Sequence, residues 1–114
     1  INAKDLGIDA KKLTAYLEEI SEIKNGFCVN KKTGRVIRAI VPMHVFGHPC
    51  NLKELLPLCN KFKIKVVEDA AEALGSIYDK KHPGTFGNLG VISFNGNRII
   101  TTGGVVLLLP TTIH

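Results

Sequence analysis

The chain has 114 residues, 45% of them apolar, and a formal net charge of +5. That length suits one domain or a piece of one, and the apolar fraction can supply a packed core, which excludes an intrinsically disordered chain. The longest late apolar run, Val105 to Leu109, is far too short to span a bilayer and no signal peptide is visible at Ile1, so a soluble, cytoplasmic protein is expected.

The positive charge is dispersed in pairs such as Lys11-Lys12, Lys31-Lys32 and Lys80-Lys81, with no basic tract interleaved by aromatics. Dispersed lysines describe a solvated surface, and nucleic-acid binding is disfavoured. Cys28, Cys50 and Cys59 are odd in number and show no C-x-x-C pairing, so buried thiols in a reducing compartment are expected. His44, His48 and Cys50 lie close in sequence, but Gly47 and Pro49 break any helix that would align the two imidazoles, and no metal site is expected.

In chain order, Asp9 is placed to cap a helix over Ala10 to Ile20, whose Leu13, Tyr16, Leu17 and Ile20 recur on one helical face. Phe27 to Val29 and Arg35 to Ile37 flank a polar turn at Asn30 to Gly34, which predicts a small hairpin. Ala39 to Val41 reads as a strand that stops near Pro42, because proline deletes a ladder hydrogen bond. A second helix is predicted from about Asn51 to Phe62, with Leu52, Leu55, Leu56, Cys59 and Phe62 inward and a kink near Lys53 imposed by Pro57.

Ile64, Val66 and Val67 form a β-branched run too short for a helix, and therefore a buried strand of an α/β sheet. With the preceding strand and helix it completes a βαβ unit, so the sheet is expected to be mostly parallel. Asp69 closes the run at the end of the strand where open α/β sheets gather ligand-binding groups. A working carboxylate and a plain turn cap through a backbone N–H both suit that position. Gly84, Gly87 and Gly90 are spaced G-x-x-G-x-x-G and lead into a strand rather than a helix, so they serve turns and tight packing and not a dinucleotide. Val91 to Phe94, Ile99 to Thr102 and Val105 to Leu109 are further strand candidates, with a turn at Asn95 to Asn97.

Ile40-Val41-Pro42-Met43-His44-Val45-Phe46-Gly47, Val67-Glu68-Asp69-Ala70-Ala71-Glu72-Ala73-Leu74-Gly75-Ser76, Gly84-Thr85-Phe86-Gly87 and Ser93-Phe94-Asn95-Gly96-Asn97 together resemble the DegT/DnrJ/EryC1/StrS family. The resemblance runs from about Ile1 to Gly104. Its members are pyridoxal-phosphate sugar aminotransferases, and the stretch from Asn95 to Gly104 is most similar to those that aminate a 4-keto nucleotide sugar on routes to legionaminic acid and related bacterial glycans. The resemblance implies a three-layer α/β fold with a mostly parallel sheet, taken from the central part of the large domain of a fold-type I enzyme. Residues 1–114 would then be a single piece of that domain, with the N-terminal phosphate-binding part and the C-terminal small domain absent. It further implies a nucleotide-sugar substrate, an amino donor such as glutamate, and a homodimeric parent.

Residue by residue, the resemblance implies that Asp69 pairs with the pyridine nitrogen of the cofactor and keeps it protonated, so that the ring can accept electrons. Glu72 stands where the family usually has Gln or His near the ring hydroxyl; an exposed glutamate at a helix start is the other reading. Ser93 matches a serine that contacts the cofactor phosphate, against a strand serine bonded to nearby backbone. Five residues after Ser93, the position of the Schiff-base lysine holds Arg98. A guanidinium stays protonated and offers no free lone pair, so the resemblance implies an enzyme fold whose present chain does not transaminate by itself. A non-catalytic cofactor-binding or assembly module of the same fold is the competing reading, and a displaced register with Arg98 at the surface is another.

Overall fold

The structure, a computed structural model, describes Ile1, Ala3 and residues 6–110. Helix α1 (Ala10–Ile20) begins where the Asp9 carboxylate accepts from the N–H groups of Lys11 and Lys12, which satisfies two donors that a helix start leaves free. Those same bonds, the Lys12 one first, hold the exposed Asp9 carboxyl below its ordinary value even though desolvation opposes them. Of its predicted inward face only Leu17 is fully buried, and Tyr16 stands in solvent.

A hairpin follows directly. Strands β1 (Ser21–Lys24) and β2 (Phe27–Asn30) pair antiparallel around Asn25-Gly26, both at positive φ. The predicted pairing of Phe27 to Val29 with Arg35 to Ile37 is reduced to one bridge, Val29 to Val36, held by Ile37 N–H to Cys28 C=O. The strand missed in the sequence is β1, because it continues α1 without a break and its turn is only two residues long.

Strand β3 (Ala39–Ile40) stops before Pro42, as proline requires, and pairing resumes for one bridge at Met43. Helix α2 (Leu52–Lys61) buries Leu52, Leu55, Leu58 and Cys59, while Leu56, expected inside, is half-buried. It runs undivided through Pro57, so the expected kink does not interrupt it. β4 (Lys65–Asp69) and β5 (Leu89–Phe94) join β3 in parallel, and β6 (Val105–Pro110) closes the sheet antiparallel in the order β3-β4-β5-β6. The mostly parallel α/β sheet of the sequence reading is therefore present. Ile99 to Thr102 form turns and not the strand expected there.

Register decides what each face carries, since side chains alternate along a strand. Ile40 and Val66 point toward α2 and share one core with Leu17, Cys28, Leu52, Leu55 and Phe62. The opposite face holds the row Met43, Asp69, Val91 and Leu108, which runs from the isolated Met43 bridge across β4 and β5 to β6. No helix among the described residues covers it: Val41 is 59% exposed, Met43 51%, Val106 56% and Leu108 60%. None of the described helices is long and apolar enough to cross a membrane. Residues 111–114 lie outside the described residues.

Candidate functional site

At the carboxyl ends of β4 and β5 three connecting segments meet. The first is a single 3-10 turn, Val45–Gly47, in which Phe46 takes φ 50, a left-handed conformation costly for a bulky side chain. Two bonds hold it there: Phe46 N–H donates to Glu72 Oε2 at 3.2 Å, and Ser76 Oγ–H donates to the Gly47 carbonyl at 2.8 Å. Gly47, at φ 77, leaves no room for a Cβ, which would meet the Glu72 carbonyl at 2.9 Å.

Beneath this turn lies a buried polar hub that the sequence reading missed. Glu68 and His44 are both fully buried, with His44 Nε2 3.0 Å from Glu68 Oε2. His44 Nδ1 accepts from Cys50 N–H, which leaves the proton on Nε2 to donate to the carboxylate. Glu68 also accepts from Gly84 N–H at 2.7 Å, Phe86 N–H at 2.6 Å and Gly87 N–H. Burial alone pushes the Glu68 carboxyl up, but the bonds from His44 and from the Gly87, Gly84 and Phe86 N–H groups outweigh it and hold the group below the usual carboxylate range. His44 is thereby spent on fixing two loops to β4. The signal for it was the alternation: Val66 and Glu68 share the inward face, and a carboxylate there needs several donors.

Asp69, one residue on, points to the other face. It is half-buried, and its Oδ1 accepts from Ala71 N–H at 3.1 Å, the turn cap expected of it. Oδ2 takes no hydrogen bond among the described residues, so the same side chain keeps an acceptor to spend. No helix follows: residues 70–76 are turns, and Glu72 is a half-buried turn residue rather than an exposed helix start.

Glu72 meets Arg98 at 2.8 Å, Oε1 to Nη1, with the arginine side chain only 23% exposed. Arg98 is therefore no free surface arginine. Both residues line a cavity of about 270 Å³ together with Phe46, Ser93, Asn97 and Ile99. Ser93 is 8% exposed, and its Oγ accepts from Asn95 N–H, the local bond expected of a strand serine. Of the four residues singled out in the sequence, Glu72, Ser93 and Arg98 come together on one cavity, whereas Asp69 lies outside its lining. The arrangement offers one cation, one hydroxyl and an aromatic wall, with the carboxylate already neutralised.

A profile of the DegT/DnrJ/EryC1/StrS aminotransferase family matches residues 2–108. GDP-perosamine synthase of Escherichia coli O157:H7 is 39% identical over 88 residues, which are 75% of this chain and 24% of that protein. A DegT/DnrJ/EryC1/StrS aminotransferase from Brucella abortus superposes with a TM-score of 0.81 at 20% identity, over 98% of this chain and 28% of its own. The E. coli GDP-4-keto-6-deoxy-D-mannose-3-dehydratase solved with bound hydrated PLP superposes at 0.73 and 22% identity, over 98% of this chain and 25% of its own. At those identities the two structures speak for the fold. The chain spans 20 to 24% of the length of two of the curated relatives it matches. With the profile covering nearly the whole sequence, the chain belongs to the DegT/DnrJ/EryC1/StrS aminotransferase family.

Proposed function

We propose that this chain is the central piece of the large domain of a pyridoxal-phosphate-dependent aminotransferase that aminates a keto nucleotide sugar in bacterial surface-glycan biosynthesis. The observation that carries the reading is the meeting of Glu72, Ser93 and Arg98 on one cavity at the carboxyl edge of a parallel sheet, in a chain matched by the family profile over residues 2–108.

The residues present fit the cofactor in part. Asp69 has an uncommitted carboxylate oxygen for a protonated ring nitrogen, and Ser93 has a hydroxyl proton for a phosphate oxygen. When bound, pyridoxal phosphate supplies an electron sink for the pair released as a substrate C–H bond breaks. Asp69 would hold the ring-nitrogen proton, Phe46 would bound the cavity, and Glu72 would keep Arg98 in place. What Arg98 does not supply is an unprotonated amine, so covalent attachment and proton shuttling by a lysine have no donor here. Lys80 and Lys81 belong to a polar turn opposite Tyr78 and are not in the cavity lining. The chain is on this reading inactive in transamination, with its parent a homodimer acting with glutamate as donor.

The test is borohydride reduction after adding pyridoxal phosphate, followed by peptide mass analysis of the wild type and of Arg98→Lys in a full-length parent. No adduct in the wild type and a stoichiometric pyridoxyl adduct on the new lysine are expected. A stoichiometric adduct on any native lysine of this chain would end the reading of Arg98. A second reading, a non-catalytic cofactor-binding or assembly module, is favoured by the Glu72–Arg98 pair, which leaves the cavity without a free base. Absence of any spectral change with pyridoxal phosphate in the full-length protein would decide for assembly.

A further inference from the structure

Donors and acceptors around the cavity do not balance. Glu72, its only carboxylate among the described residues, is used on both oxygens, Oε1 by Arg98 and Oε2 by Phe46 N–H. Arg98 uses Nη1 on Glu72, and its Nε is buried with no hydrogen-bond partner among the described residues. Ser93 Oγ already accepts from Asn95 N–H, so what remains is its proton, and among the described residues no acceptor takes it. Among the described residues the walls thus present a permanent cation with donors to spare, the Ser93 hydroxyl proton and the Asn97 amide, and no unspent carboxylate. Buried donors left without acceptors cost free energy, so a ligand that supplies acceptors is favoured.

We propose that Arg98 and Ser93 form a non-covalent oxyanion site in this cavity. The free edge of the guanidinium, Nε with Nη2, presents two parallel N–H groups that match a phosphate or carboxylate, and the Ser93 hydroxyl adds a third donor. Phe46, held at φ 50 by Glu72, gives the ligand an apolar wall on which a ring can rest. The ligand is an oxyanion attached to a flat or apolar body: a phosphate monoester such as the cofactor's, or the carboxylate of a keto acid. Only the phosphate-ester identity rests on the cofactor reading above; the donors alone specify the oxyanion. In place of a covalent bond to lysine, this chain holds its ligand by charge-assisted hydrogen bonds.

The experiment is an NMR titration of the 114-residue chain, reading the Arg98 Nε–H signal in the wild type and the Phe46 and Asn97 backbone amide signals in the wild type and every variant, with inorganic phosphate, pyridoxal phosphate, pyridoxal and 2-oxoglutarate as probes. The Nε–H signal is expected to shift saturably with pyridoxal phosphate and with no more than a weak response to pyridoxal, which lacks the oxyanion. Arg98→Met and Ser93→Ala should each weaken that binding by about tenfold or more, while Arg35→Met should leave it unchanged. A shift with 2-oxoglutarate or inorganic phosphate but not with pyridoxal phosphate would keep the oxyanion site and end the cofactor reading. Pyridoxal phosphate bound equally well by wild type and Arg98→Met would keep the cofactor reading and overturn this one. So would an Nε–H signal that none of the oxyanions moves, a result that requires no variant to fold.

Discussion

Glu72 and Arg98, 26 positions apart in the chain, are ion-paired at 2.8 Å, and the second oxygen of the same carboxylate secures the Phe46 turn. One side chain therefore ties together the three segments around the cavity. Because Glu72 is 39% exposed and Arg98 23%, solvent screens the pair and its share of global stability is small, about 1 kcal/mol or less. Glu72→Gln should accordingly leave the unfolding midpoint nearly in place. Its mark is local: amide exchange at Phe46 should accelerate, because a left-handed Phe46 loses its charged acceptor. Unchanged Phe46 protection in the variant would show that Glu72 does not hold the turn.

The Glu68 hub carries more. Four donors converge on a carboxylate that is fully buried, so Glu68→Gln, which turns one acceptor into a donor facing other donors, should cost about 3 kcal/mol. Its folded-state carboxyl titrates below the ordinary 4.5. The stability that this contributes is present above the ordinary value and is lost as pH falls through the lower folded value. Denaturant unfolding measured from pH 7 downward should show stability falling below about pH 4.5 in the wild type, with a shallower fall in Glu68→Gln. Equal slopes in both proteins would remove Glu68 as the cause.

Two glycines separate packing from chain freedom. A Cβ on Gly90 would overlap the Gly84 carbonyl, whereas one on Gly96 would meet nothing within 4 Å. Backbone on one side and a strand on the other leave Gly90 no route of relief. Gly90→Ala should destabilise by about 3 kcal/mol or more, and Gly96→Ala should stay within about 0.5 kcal/mol of the wild type. Thermal unfolding of the two variants side by side checks the contrast.

Pro57 sits exposed inside α2 and denies the Lys53 carbonyl its helical partner. Pro57→Ala restores that N–H without removing packed surface, and should raise stability by about 1 to 3 kcal/mol. A destabilised Pro57→Ala would mean that the proline ring makes a contact on which the helix depends.

The bare sheet face has a consequence for the isolated chain. Val106 and Leu108, with Met43 on the same face, expose apolar surface without any flanking charge in β6, and such a face drives association. Sedimentation at high concentration should show oligomers, and Val106→Lys with Leu108→Lys should return the chain toward monomer. A monodisperse wild-type monomer would contradict this.

Local signals were the legible part. Asp9 caps α1 because a carboxylate before a periodic apolar stretch has backbone donors within reach, and Leu52, Leu55 and Cys59 pack because their spacing places them on one side of α2. The short β-branched run at Val66 and Val67 became β4, with Asp69 at its carboxyl end. β1 escaped because a two-residue turn at Asn25-Gly26 follows a helix with no intervening loop. Ile99 to Thr102 misled because apolar composition alone does not provide a partner strand; β5 already pairs with β4 and β6.

By itself the sequence determined the elements with strong periodicity, the family resemblance carried by four spaced stretches, and the presence of Arg98 five residues after Ser93, since each of these is a property of residue order. Only the tertiary structure decided that Glu72 is a turn residue bonded to Arg98, that Glu68 and not its neighbour anchors the loops, and that Asp69 stands outside the cavity lining that Ser93 enters. The physical reason is alternation combined with register. Adjacent carboxylates on one strand face opposite sides of the sheet, and the donors that meet Glu68 come from segments 16 to 24 residues away, whose approach is set by packing rather than by any local preference.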